Sequence, residues 1–180
     1  MASSSGERSR VVAGMCEKGM WREVLAYARE WHEASPADPR ACYYLGVGLS
    51  GLRRFSQAEA VYRQALRLDP TDFEVWNSLA ELLFKKMRQP EAGLQCLEQA
   101  LTINPRHKLG WLNLARLNGR MGWHDKALQC SNHALALDPK LVEAHLSRAA
   151  AARALGKMEI VQEVCRELAA LEPEAFRRVS

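Results

Sequence analysis

The sequence predicts an all-α fold, an α-solenoid of about five helix-turn-helix repeats, and three observations predict it. Prolines recur at Pro36, Pro70, Pro105, Pro139 and Pro173, spaced by 34, 35, 34 and 34 residues. The segments that end on or just before them agree: EWHEASP, ALRLDP, ALTINP, ALALDP and LAALEP. Upstream of three of them a second phrase recurs, as YYLGVGL at 43–49, WNSLAEL at 76–82 and WLNLARL at 111–117. A fixed period of this length marks small supersecondary units that stack on one another. The units run 5–38, 39–72, 73–107, 108–141 and 142–175, in one domain over 1–180 with residues 1–4 and 176–180 as tails.

Each unit reads as two helices, because the apolar spacing is three and four, never two. In 39–72 the first helix carries Tyr44, Leu45, Leu49 and Leu52 near one stripe. The second carries Ala58, Val61, Tyr62, Ala65, Leu66 and Leu68. Breakers between the helices are Gly51 in this unit, Gly119 and Gly122 in 108–141, and Gly156 in 142–175. Asp38-Pro39 places an N-cap before a proline at the first helical position. Ser56-Gln-Ala-Glu59 and Thr71-Asp-Phe-Glu74 read as capping boxes. The single 35-residue spacing is expected to come from one extra residue in the turn at FKKMRQPEA, with Pro90 opening the second helix.

Composition narrows the class. Of 180 residues, 48% are apolar and 26% charged, which suits a folded domain and not a disordered chain. The net charge of +4 is too small to imply nucleic acid by itself. No apolar run approaches the roughly 18 residues of a membrane helix, and the polar start MASSSGERSR lacks the core of a secretory signal. Five scattered cysteines without a CxxC pair read as reduced thiols in a cytoplasmic setting.

At this point the chain resembles the tetratricopeptide repeat family, whose pattern runs aromatic, Leu-Gly, aromatic, Ala, aromatic, Ala, Pro over about 34 residues. Unit 39–72 supplies Leu45, Gly46, Ala58, Tyr62, Ala65 and Pro70. Unit 73–107 supplies Trp76, Leu79, Ala80, Ala100 and Pro105, and unit 108–141 supplies Trp111, Leu114, Ala115, Ala127, Ala134 and Pro139. The end units depart from it. His145 and Arg148 take apolar positions, Arg8 takes the first aromatic position, and Trp31 stands where Ala is usual. The resemblance implies a right-handed solenoid in which small residues let paired helices approach and large ones fill the space between pairs.

The chain lacks the short motifs of common chemistries: no phosphate loop, no GxSxG and no HExxH. LGVGL at 45–49 lies inside a helix. Cys130-x-x-His133 has ligand-like spacing but no second pair, so it reads as helix surface and no metal or cofactor is expected. Glu30 with Glu33, and Glu163 with Glu167, read as solvated faces. No catalytic residue emerges, and a helical array offers a long surface rather than a deep pocket.

The resemblance also implies where a partner docks: in a concave groove lined by first helices. The family's groove positions fall here on Arg40, Tyr43, Val47 and Ser50; on Glu74, Asn77, Glu81, Phe84 and Lys85; on Leu109, Leu112, Arg116, Gly119 and Arg120; and on Glu143, Leu146, Ala150, Arg153 and Ala154. Apolar anchors are expected at Leu109, Leu112 and Leu146, and carboxylate contacts at Arg116, Arg120 and Arg153. Asn113 sits where some relatives place an asparagine ladder, which Ser78 and Ser147 interrupt. Tyr43 and Val47 occupy the Lys and Asn places of the family's carboxylate clamp, so no such clamp is expected. At the C-terminal end Val161, Val164, Cys165, Leu168 and Phe176 are expected to be partly uncovered, a basis for self-association.

These features together imply a non-catalytic scaffold that binds a protein or peptide. The rival readings are an RNA-binding helical repeat of the pentatricopeptide type and an accessory domain of an enzyme complex.

Overall fold

In a computed structural model, which describes residues 4–171, the chain is helical throughout its regular elements and forms two compact units, one through Ile103 and one from Asn104. Among the described residues there are ten helices and no strand.

The first unit holds α1 (Ser5–Glu17), α2 (Trp21–Ala34), α3 (Pro39–Gly51), α4 (Phe55–Leu68), α5 (Phe73–Lys86) and α6 (Pro90–Ile103). Each helix packs on the next along the chain, and α3 also touches α1 and α5. Its N-terminal core gathers Val12, Val24, Ala28, Trp31, Ala41 and Tyr44. The second unit holds α7 (Lys108–Arg120), α8 (His124–Leu137), α9 (Val142–Ala154) and α10 (Met158–Leu171). There Leu112, Ala134 and Ala144 form one cluster and Ala127, Leu128, Ala149, Ala151, Ala152, Val161, Val164 and Leu168 a second.

Local chemistry explains the helix ends. Asp38 caps α3 by accepting from the Arg40 N–H, ahead of Pro39 at the first position. The cap of α5 is Asp72, one residue later than expected, and accepts from the Glu74 and Val75 N–H groups. Thr71 instead folds onto Asp69, its hydroxyl 2.7 Å from Oδ1. The capping box at Ser56–Glu59 does not form: α4 has already begun at Phe55, after an Arg54 that makes no side-chain cap bond. The chain enters α4 from a tight three-residue turn, which leaves no extended position for a serine cap.

That three-residue turn is common to all five hairpins, at 18–20, 52–54, 87–89, 121–123 and 155–157. Its middle residue always has positive φ. Gly19, Gly122 and Gly156 meet this without a Cβ clash, but Arg53 (62°) and Arg88 (56°) stand there as well. The extra residue of the third repeat therefore lies in the last turn of α5, not in the turn. This helix runs 14 residues, and the Met87 and Gln89 N–H groups reach back to Leu82 and Leu83.

A second recurring fastening holds the first helices to the segment before them. The indole N–H of Trp76 donates to the Pro70 carbonyl at 2.9 Å, and that of Trp111 to the Pro105 carbonyl at 2.8 Å. His145 takes the same register and places Nε2 2.8 Å from the Pro139 carbonyl. A carbonyl can only accept, so Nε2 carries a proton. The departure from the repeat at His145 thus preserves the bond while changing the ring.

Two expectations are corrected here. Val161, Val164 and Leu168 are not uncovered: they are 4%, 0% and 0% exposed against α9. The alanines of α9 let α10 approach closely enough to cover its own apolar stripe. Cys165 packs at the edge of this cluster, and Phe176 lies outside the described residues. The self-association argument loses its exposed face. Glu163 and Glu167 are not merely solvated either. Arg148, half-buried on α9, donates to Glu163 at 3.0 Å and to Glu167 at 3.1 Å, bridging α9 to α10.

Two outcomes test this packing. Trp111 is half-buried beside the Leu112 cluster, stacks on His133 and holds Pro105. Trp111→Ala is expected to cost about 2 kcal/mol and to lower the thermal midpoint by roughly 4–8 °C; an unchanged melt contradicts the stacking. Arg88→Gly is expected to stabilise by about 0.5–1 kcal/mol in urea titration, since the backbone strain removed exceeds the entropy added to the unfolded chain.

Candidate functional site

In the first unit the faces of α3 and α5 enclose a cleft of about 590 Å³. Helical spacing brings Tyr43, Val47 and Ser50 of α3 to one wall and Ser78, Glu81, Leu82 and Lys86 of α5 to the other. Tyr62 from α4 closes the floor, and Trp21, Arg53 and Phe55 complete the rim. Glycines make the geometry possible. A Cβ on Gly46 would stand 2.6 Å from the Tyr62 ring, and one on Gly51 would collide with the Trp21 ring. The breaker expected at Gly51 is therefore a packing glycine inside α3.

The polar groups of the cleft differ in how they are satisfied. Tyr43 is bonded to Ser78, and burial, offset in part by that bond, pushes its phenol up to about 12. Tyr62 is 3% exposed, and burial raises its phenol well above the ordinary value. Glu81 receives the Lys85 ammonium at 2.8 Å, one helical turn away. Arg40 is committed elsewhere. Its Nη1 reaches Asp72 at 3.0 Å and Glu74 at 2.8 Å, and its guanidinium lies 4.7 Å from the Tyr43 ring centroid. Burial works against the charge, but the bond to Glu74 and the two carboxylates outweigh it, so the Arg40 pKa is raised. This residue ties α3 to the start of α5.

The other expected groove residues are placed unevenly. Asn77 is half-buried on α5. In the second unit Leu109 is 44% exposed and Arg116, Arg120 and Arg153 reach the surface. Leu112 and Asn113 are 3% and 5% exposed, so neither offers a surface to a ligand; Leu112 belongs to the core with Ala134 and Ala144. Leu146 packs at the edge of the α9–α10 core. Cys130 and His133 point to different partners, Cys130 to the Asn118 amide at 3.6 Å and His133 onto the Trp111 ring at 4.6 Å. Among the described residues no group of three potential ligands gathers.

Sequence reasoning missed Tyr62, Trp21, Phe55, Arg53 and Lys86 as cleft residues. The signal was the run of glycines at 46, 48 and 51, which marks where rings and backbone press onto α3.

Comparison with known proteins agrees with the repeat pattern. Three models of the tetratricopeptide repeat match, over residues 39–72, 61–95 and 110–141. The chain is 25% identical over 130 residues to an N-terminal acetyltransferase A complex subunit-like protein of Schizosaccharomyces pombe, covering 72% of this chain and 19% of that protein. It is 33% identical over 75 residues to the N-terminal acetyltransferase A complex auxiliary subunit NAA15 of Arabidopsis thaliana, covering 41% and 8%. The chain thus spans less than a fifth of the length of these relatives. Among solved structures, pilF of Pseudomonas aeruginosa superposes with a TM-score of 0.83 at 20% identity, over 92% of this chain and 75% of that one.

Alkaline titration tests the cleft. Both phenols titrate higher folded than the ordinary value near 10, so the stability they contribute is present below about pH 10 and is lost as pH rises through the folded values. Urea midpoints are expected to fall between pH 10 and about 12, and less steeply in Tyr43→Phe; a slope identical to wild type contradicts the burial of this phenol.

Proposed function

Given that the chain belongs to the tetratricopeptide repeat family, we propose that it is a non-catalytic interaction scaffold that takes a peptide or protein segment on its first-helix faces. The α3–α5 cleft carries this reading: it is open, wall-lined by side chains and of the size of ligand sites. In the first unit the contacts are Tyr43, Val47, Asn77 and Glu81; in the second they are Leu109 and the arginines 116, 120 and 153. Arginine forks suit carboxylates on the bound segment, and an exposed leucine supplies desolvation energy.

The relatives favour one particular setting. One is named as an N-terminal acetyltransferase A complex subunit-like protein and one as an auxiliary subunit of that complex. By analogy the chain acts as an accessory part of a larger assembly, docking on a partner that holds the chemistry. Five unpaired cysteines support a cytoplasmic setting.

Affinity purification with mass spectrometry on wild type and on Arg116→Glu with Arg120→Glu tests the reading. Losing two charge-assisted contacts is expected to cut recovery of the specific partners by about tenfold or more while the circular dichroism spectrum stays the same. Equal recovery contradicts the placing of the contacts, and partners lost only upon nuclease treatment favour the RNA-binding alternative.

A further inference from the structure

We propose that Ser56, in the first turn of α4, is a phosphoacceptor for an arginine-directed serine kinase, and that its phosphate strengthens a helix start which has no side-chain cap.

The recognition element is local. Arg53 and Arg54 stand three and two places before Ser56, and no other serine or threonine among the described residues has arginines at both places. All three residues are exposed. Guanidinium forks pair with carboxylates through parallel hydrogen bonds. A kinase with acidic side chains in its substrate groove can therefore hold the arginines and align the hydroxyl that follows them.

Lying in such a groove requires the segment to open by one turn. Opening breaks the bond from the Ala58 N–H to the Arg54 carbonyl, at 3.0 Å. It also releases Arg53 from a φ of 62°, a conformation disfavoured for a residue with a Cβ. Arg54 has no side-chain cap bond to lose. Short exposed segments of this kind open without unfolding the domain.

In the transfer step Ser56 Oγ attacks the γ-phosphorus of ATP held by the kinase. The Oγ–P bond forms as the bond from that phosphorus to the β,γ-bridging oxygen breaks. ADP leaves, and the hydroxyl proton passes to the general base of the kinase.

The product suits the refolded turn. Ser56 is the second residue of α4, where backbone N–H groups lack intrahelical acceptors. Glu59, the other half of the capping box that does not form, is turned along the helix to pair with Arg63. A phosphate brings about two negative charges to the positive end of the helix dipole, next to two arginines. It also sets that charge beside the cleft rim, to which Arg53 and Phe55 belong.

The test uses the full chain carrying Ser180→Ala, because Arg177-Arg178-Val179-Ser180 repeats the quartet outside the described residues. The chain is incubated with ATP, Mg²⁺ and a purified arginine-directed serine kinase, and phosphate is located by peptide mass spectrometry. The expected result is phosphate on Ser56 of the folded chain. The initial rate should fall about tenfold or more in Arg53→Ala with Arg54→Ala. Should that variant lose helicity, Arg54→Ala alone takes its place. The thermal midpoint of the phosphorylated chain should rise by about 2 °C. A Ser56 left unmodified, or modified only after heating, overturns the phosphoacceptor. A Ser56 modified at the same rate without the arginines overturns the recognition element. A midpoint that stays or falls upon modification overturns the strengthening of the helix start.

Discussion

Neighbouring helices settle onto positions with small side chains or none, and the rest of the structure depends on this close approach. A hairpin of two short helices cannot cover its own apolar face, so each must lend surface to a neighbour. Within the first unit α3 does this through Gly46, Gly48 and Gly51, which receive the Tyr62 ring, the Leu25 backbone and the Trp21 ring. Within the second, α9 does it with Ala149, Ala151 and Ala152 against the valines and leucine of α10. Dense packing on those sides leaves the outward residues of α3 and α5 free to line a cleft. Tyr62 belongs to both: its ring packs against Gly46 in the helix interface, and the same residue lines the cleft.

Directional bonds then fix the register that packing alone would leave loose. Pro70, Pro105 and Pro139 each present a carbonyl, and the fourth residue of the next first helix bonds to it through Trp76, Trp111 or His145. Arg40 and Arg148 add charged ties between α3 and α5 and between α9 and α10. These groups are too exposed for the ion pairs to dominate stability. Their effect is on geometry: Arg40 stacks on Tyr43 and orients that wall of the cleft.

Much of the fold was legible because period and proline position are properties of the chain itself. The helix starts at Pro39 and Pro90 followed from proline's fixed φ and missing N–H. Capping was less legible. Ser56 and Thr71 match the motif in isolation, but the three-residue turn and Asp72 decide where the helices begin. The candidate site was legible in part. Counting along the first helices found Tyr43, Val47 and Glu81, which share the cleft, and also named Leu112, which the second unit buries together with the Asn113 of the interrupted ladder. Position on a helix gives a direction, whereas burial depends on what the next hairpin brings. For the same reason Tyr62 and Trp21 were invisible as cleft residues: second-helix rings enter through gaps that only the folded α3 creates.

The central claim is that the side chains of α3 and α5 turned toward the cleft are the surface on which a partner segment docks. Amide chemical-shift mapping of the chain with a tightly bound peptide tests it most directly. The account requires the largest shifts at Tyr43, Val47, Ser50, Ser78 and Glu81. Shifts centred on the outer residues of α4, such as Arg63 and Arg67, with those five unmoved would contradict it.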